Sequence, residues 1–570
     1  MRESERFHSW VSWQPLARFR MWLRTRPGFR RLAAQSVILL VLLAPSIWML
    51  NAIPPLWRDV DAYLQLTGPP GPETILQYGP LYCFVARIPL YIGYAGECLK
   101  ARAPLPSLSF FAHPVLSNSG VFLLIALQHL ALAFTSLYLI AAAARLLWIR
   151  FILAVVWALN PLFYTFAHCI GTETLSMILV LLVGATGLRI VRNSRKVSGR
   201  EWLLFGVLLW LSVLTRHINA ILAGLLPLTF FSLSIYRFIM SRFAPALLLR
   251  RWQQLRASQA LQKAMLAVAV GLGCIVLANV SLRELCYAVN IPYSSPIGPA
   301  SVGRLKFLTR LPVEKRNQLL DKAAKNTDSA DVKKVISLLR DSFVDGNATW
   351  DGRLFKQKAR TLLSSPETNT NEKELYDVFN RTAWAIFYPP DKLFLSGVAA
   401  DFGRSQQITI PEVVSFLFVT TRFYFSHRDA MPQCGSLVTF RGRDAAEVFA
   451  TFKKYSYFHH PKNLGYDAIL LFWVISLGLF VAIARARGQK AASTAVYAAA
   501  LTALGLLMMI ANCFLAIFQP RYALPMWELT IVSMTILFGG MMNSLFSSSL
   551  HVHPLRNDEQ AKQPDHVLES

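Results

Sequence analysis

The 570-residue chain is poor in charge: 16% of its residues are Asp, Glu, Lys or Arg, against about 25% in an ordinary soluble domain. Acidic residues are the scarcer kind, 32 against 58 Lys and Arg, which leaves a formal net charge of +26. With 54% hydrophobic residues and a mean hydropathy of +0.39, a water-soluble fold has too little polar sequence to cover its surface. Disorder is excluded by the 12% aromatic content. There are seven cysteines, none in a CxxC or Cys/His spacing that would hold a metal. No internal repeat or low-complexity tract occurs, and no aromatic–basic module stands outside the apolar runs, so nucleic acid is set aside as a partner. What remains is a polytopic membrane protein.

A spanning helix takes roughly 20 largely apolar residues. Such windows fall near 33–52, 121–144, 149–166, 174–191, 202–215, 219–236, 264–282, 467–484, 492–513 and 523–545, predicting about ten transmembrane helices. Arginines then orient them. Arg2, Arg6, Arg18, Arg20, Arg24, Arg26, Arg30 and Arg31 precede the first window. With that end cytoplasmic, alternation places Arg145 and Arg150, the Arg189–Arg200 cluster, Arg237–Lys263, and Arg485, Arg487 and Lys490 in cytoplasmic loops. The short opposite loops carry little positive charge beyond Arg216 and Arg521. Both termini are therefore expected in the cytoplasm, with the first window an uncleaved anchor.

The expected fold class is an all-α polytopic membrane protein with an extracytoplasmic, mainly helical soluble domain. Its segments are a basic cytoplasmic start (1–32), a bundle (33–282) with a first outer loop (53–120), the outer domain (283–466), C-terminal spans (467–545) and a cytoplasmic tail (546–570). In the outer domain, Val332, Val335, Ile336, Leu339 and Phe343 recur at helical spacing after a cap at Asp328 or Ser329. PVEKRNQLL (312–320) and NEKELYDVF (371–379) also read as helices, and SLVTF (436–440) as a strand. The run at 411–425 is too short to span and reads as a core or interfacial helix. Cys83, Cys98, Cys286 and Cys434 fall in outer loops, where either disulfides or buried thiols fit.

Ionisable residues in or beside spans cost about 2.5–3.5 kcal/mol each on insertion scales, and here they gather at one level. Asp59 and Asp61 follow the first span; His168 and Glu173 lie in AHCIGTETLS; Arg216 and His217 lie in LTRHINA. Arg283 and Glu284 end the seventh span, while Arg521, Tyr522 and Glu528 open the tenth. His129, mid-span, reads as a bundle histidine, and Glu173 also suits a helix N-terminus. Arginines grip phosphate by forked hydrogen bonds, and a carboxylate can deprotonate a hydroxyl. A sugar on a lipid phosphate already carries its leaving group, so one base and a cationic clamp suffice for inverting displacement.

Asp59 with Tyr63, YGPLY (78–82), Glu173 in GTETLS, LTRHIN (214–219) and PRYALP (520–525) together resemble the GT-C superfamily of integral membrane glycosyltransferases. The nearer likeness is to the protein mannosyltransferase and aminoarabinose transferase-like branch. The resemblance implies a GT-C-like bundle, a polyprenyl-phosphate sugar as donor, and a lipid, glycan or protein acceptor outside the cytoplasm of a bacterial inner membrane. It implies catalytic roles for Asp59, with Asp61 as the adjacent alternative, and for Glu173. Substrate binding would fall to Tyr63, Tyr82, His168, Arg216, His217, Arg521 and Tyr522, with Arg304 in SVGRLKFL as a further phosphate contact. No cofactor is assigned with certainty, and a divalent cation is left open. The chain departs from the family in span number, in Asp59-Val60-Asp61 where an Asp–Glu pair is common, and in its outer domain. The alternatives are an O-antigen polymerase or ligase and a lipid-linked sugar flippase.

Overall fold

The computed structural model describes residues 27–57, 60–68, 75–76, 79–193, 197–242, 247–293, 303–342, 352–364, 372–426, 439–440, 443–444, 465–486, 492–516 and 518–546. They form an all-α polytopic membrane protein.

The chain opens with α1 (Pro27–Ala52), a two-residue strand β1 (Leu56–Trp57), α2 (Val60–Thr67) and α3 (Pro80–Lys100). There follow α4 (Asn118–Ala143), α5 (Leu147–Ala158), α6 (Pro161–Ala167), strand β2 (Cys169–Ile170) and α7 (Thr172–Arg192). Next come α8 (Gly199–Thr215), a 3-10 turn at His217–Gly224, α9 (Leu225–Arg242) and α10 (Leu247–Ala288). After a helical domain the bundle closes with α17 (Tyr466–Ala486), α18 (Ala492–Leu515) and α19 (Leu524–Phe546).

All ten expected windows are helical, but the count of spans differs. Among the described residues eight helices are long and apolar enough to cross a membrane, or nine with the α5–α6 pair, which is bent by 67°. The bend lies at Pro161, whose ring carries no N–H, and the Asn160 side chain accepts from Leu162 N at 3.0 Å to start the new helix. Helix α8 has 17 residues, about 25 Å of rise, which is marginal for crossing on its own. It starts on a capping box between Ser198 and Glu201. Helix α7 is the axis of the bundle, buried along most of its length against α4, α8 and α18. Tyr497 on α18 donates to Gly184 O of α7 at 2.6 Å, so its hydroxyl is satisfied inside the bundle.

Between α10 and α17 lie α11 (Val313–Lys325), α12 (Ala330–Asp341), α13 (Gly352–Leu363), α14 (Glu372–Phe387), α15 (Lys392–Gln407) and α16 (Ile410–Ser426). Ser329, not Asp328, caps α12, and Val332, Val335, Ile336 and Leu339 face the core as the spacing requires. Short strands β3 (Thr439–Phe440) and β4 (Arg443–Asp444) pair antiparallel. The apolar run near 411–425 becomes α16, packed on α6 and β1. Cys83, Cys98 and Cys286 are buried free thiols; Cys434 lies outside the described residues.

Candidate active site at one end of the bundle

At one end of the bundle Arg192 bonds the Ala142 and Ala143 carbonyls at the close of α4, and Arg145 N donates to Asn543 near the end of α19. At the opposite end three distant segments are stitched together. β1 and β2 run parallel, Leu56 opposite Cys169 and Trp57 opposite Ile170. A parallel pair this short has few ladder bonds of its own, so its register depends on side chains around it. Helix α4 supplies them from two adjacent positions, about 100° apart around its axis. Gln128 donates to Ala167 O and Cys169 O at 3.0 and 3.1 Å. Its Oε1 accepts from Tyr82 Oη at 3.2 Å, and Tyr82 in turn accepts from Gly171 N at 3.1 Å.

His129 holds the other side. His168 Nε2 lies 2.9 Å from Ile53 O, and a carbonyl only accepts, so Nε2 carries the proton. In the neutral ring Nδ1 is then an acceptor, and His129 Nε2, 3.1 Å away, must donate to it. That leaves His129 Nδ1 to accept from Ser46 Oγ at 2.9 Å. The chain of hydrogen bonds therefore has one direction, from Ser46 through both histidines to Ile53. His168 is fully buried, and loss of hydration pushes its pKa down to about 4, with bonds to the Ile53 and Pro54 backbone opposing. His168 thus positions β1, with both ring nitrogens occupied by protein.

Glu173 enters in the first turn of α7, at the favourable end of the helix dipole, and is buried. Arg216, the residue after α8, brings Nη1 to 3.5 Å from Glu173 Oε1. Thr172 Oγ1 donates to Glu173 Oε2 at 3.4 Å. Glu528, in the first helical turns of α19, is equally buried and faces Arg216 electrostatically. Its Oε1 has no hydrogen-bond partner among the described residues. Arg216 is thus ion-paired with Glu173, and Glu528 is a second buried carboxyl within its electrostatic reach. His217 donates from Nε2 to Leu76 O at 2.9 Å, tying the next stretch of the first loop to the same turn.

Arg521 is buried in the 3-10 turn Pro520–Ala523, its guanidinium 5.9 Å from the Phe416 ring and 5.3 Å from that of Tyr522. Beside it a cavity of about 470 Å³ opens between α15, α16 and Phe518–Pro520, with Arg404 and Glu412 on its wall.

Of the residues singled out by sequence, Tyr82, His168, Glu173, Arg216 and His217 are brought to one place. Arg521 and Tyr522 lie on the α16 side. Asp59 lies outside the described residues; Asp61 and Tyr63 lie on α2, their side chains outside them. Arg304 is engaged elsewhere. It is buried where α15 meets the end of α18, 3.6 Å from Asp401, donates to Cys513 O at 2.9 Å, and lies over the Phe394 ring at 4.5 Å. Burial lowers its pKa to about 10 against the pull of Asp401. Among the described residues no three His, Cys, Asp or Glu side chains converge on a metal site. Sequence reading missed Gln128 as an organiser and left Glu528 unassigned. Their signal was there, a polar residue inside an apolar window, but the partners of Gln128 lie 39 to 46 positions away in sequence.

No family model matches the chain, and no curated protein matches it. Among solved structures it is similar to the archaeal oligosaccharyltransferase AglB from Archaeoglobus fulgidus, in complex with an inhibitory peptide and a dolichol-phosphate. The identity is 12% and the TM-score 0.37, over 95% of this chain and 53% of the other. The chain thus spans about half the length of that protein, and a likeness of this size carries no functional argument.

Proposed function

We propose that the protein is a membrane glycosyltransferase of GT-C type that moves a sugar from a polyprenyl-phosphate donor to an acceptor on the extracytoplasmic face. One observation carries this reading. The β1–β2 pairing brings the segment that leads, two residues after Trp57, to Asp59 alongside the turn that leads into Glu173 and its Arg216 partner. Glu173 and Arg216 thus stand beside the strand that ends two residues before Asp59 in sequence.

In the proposed reaction Asp59 accepts the proton of the acceptor hydroxyl. The oxygen attacks the anomeric carbon, and the bond from that carbon to the phosphate oxygen breaks with its electron pair. Polyprenyl phosphate departs, its charge met by Arg521. The Glu173–Arg216 pair holds the base side of the site, and Tyr82 keeps the glycine before α7 in place. The basic loops then face the cytoplasm and the soluble domain the outside.

The test is turnover of a polyprenyl-phosphate sugar by reconstituted protein. Asp59→Asn should lose about 10²- to 10⁴-fold in rate, the usual worth of a general base, while remaining folded and inserted. Turnover equal to wild type would pass the role to Asp61 or Glu173 and sink the assignment. Arg521→Ala should weaken donor binding; unchanged affinity would remove it from the clamp.

A further inference from the structure

Helix α3 belongs to the stretch that topology assigns to a loop, and its charged residues keep it from reading as a span. Its surface tells otherwise. From Pro80 to Cys98 the only exposed side chains are Val85, Ile88 and Ile92, at 43%, 51% and 54%. They stand three and four positions apart, on one face of the helix. A helix lying in water puts polar residues on its exposed face; this one puts none there.

The charges are turned inward. Arg87 is buried and donates to three backbone carbonyls, those of Gln65, Gly68 and Phe111. Glu97 accepts from Ser119 N at 2.7 Å, at the start of α4. Tyr82 meets Gln128, and Gly93 lies against Gly120, so α3 and α4 run antiparallel in contact. Helix α4 is itself a candidate span, and its exposed residues below the top turn are Phe122, Leu127, Leu130 and Phe134. Polar exposure begins at the same end of both helices, with Lys100 and Arg102 on one side and His113 and Asn118 on the other. Tyr91 and Tyr94 sit just inside that level, stacked on Phe111 and Phe110, as aromatic rings do at a membrane boundary.

We infer that α3 is embedded in the leaflet on the site side, its Val85–Ile88–Ile92 face in contact with lipid acyl chains and continuous with the lipid-facing side of α4. This inference needs the membrane reading alone and stands independently of the proposed transfer reaction. It also sets a depth. Gln128, which holds Tyr82 and the turn before Glu173, is ten residues or about 15 Å along α4 from Asn118. The site is recessed into the leaflet behind a lipid-bathed wall.

The test uses full-length protein in phosphatidylcholine–phosphatidylglycerol nanodiscs. An environment-sensitive fluorophore is attached at Ile88→Cys, Ile92→Cys or Lys100→Cys, with Cys434 replaced by Ser because the other six thiols are buried. Nitroxide-labelled phosphatidylcholine should quench at 88 and 92, and aqueous iodide at 100. Iodide quenching at 88 and 92 equal to that at 100 would overturn the inference. Because 88 and 92 are labelled separately, and both face outward, loss of one variant leaves the other to decide.

Discussion

The Ser46–His129–His168–Ile53 chain shows how a single titratable residue can control a backbone register. With both rings neutral, one pattern of protons satisfies all four groups, running from Ser46 to Ile53. His168 has its pKa lowered to about 4 in the fold, against about 6.5 when exposed. The unfolded chain therefore binds more protons between those values. The stabilisation is fully present above pH 6.5 and drains away as pH falls toward 4, up to about 3 kcal/mol in all. The thermal midpoint in detergent should drop between pH 7 and pH 5, and His168→Gln should flatten that slope while lowering the midpoint at pH 7. An unchanged slope in the variant would remove His168 from this role. Glu173 and Arg216 were legible in the sequence because a charge beside an apolar run is conspicuous. Gln128 was not, because nothing local tells an uncharged amide at an ordinary bundle contact from one that holds two other segments.

At the scale of elements, the seam between α3 and α4 depends on absent side chains. A Cβ on Gly93 would come 2.3 Å from Gly120 Cα, whereas one on Gly96 would meet nothing within 4 Å. Gly93→Ala should therefore destabilise by about 1–3 kcal/mol through overpacking. Gly96→Ala, three residues on in the same helix, should be neutral or gain up to about 1 kcal/mol from reduced backbone entropy. Equal thermal midpoints for the two variants would contradict the close crossing. Gly79 makes a second such contact: its φ is +84° and a Cβ would lie 2.5 Å from Leu214 O, so α3 can start against the end of α8 only with glycine there. Spans were readable because hydropathy is a local sum. The fate of α3 was not, because Arg87 and Glu97 lower that sum, and their partners are fixed only by the fold. The bend at Pro161 and the shortness of α8 were likewise blurred by a 20-residue window.

On the scale of the whole molecule the protein is polarised. Arg145, Arg189 and Arg192 lie at one end of the bundle, and at the other Glu173 is buried against Arg216. Helix α16 joins the helical domain to the bundle: Trp57 N donates to Thr421 Oγ1 at 2.8 Å, and the α16 ring of Phe416 lies over Arg521. The domain therefore contacts both β1 and the arginine proposed to meet the donor phosphate, so a substrate reaching one is beside the other. Charge asymmetry between loops was fully visible in the sequence, whereas this contact joins residues 364 positions apart. Whether the site takes a lipid-linked sugar can be read by native mass spectrometry of detergent-purified protein. A polyprenyl monophosphate carrying one sugar should co-purify with the protein and be lost in Arg521→Ala. A bound pyrophosphate-linked oligosaccharide would contradict it and point to a polymerase, ligase or flippase.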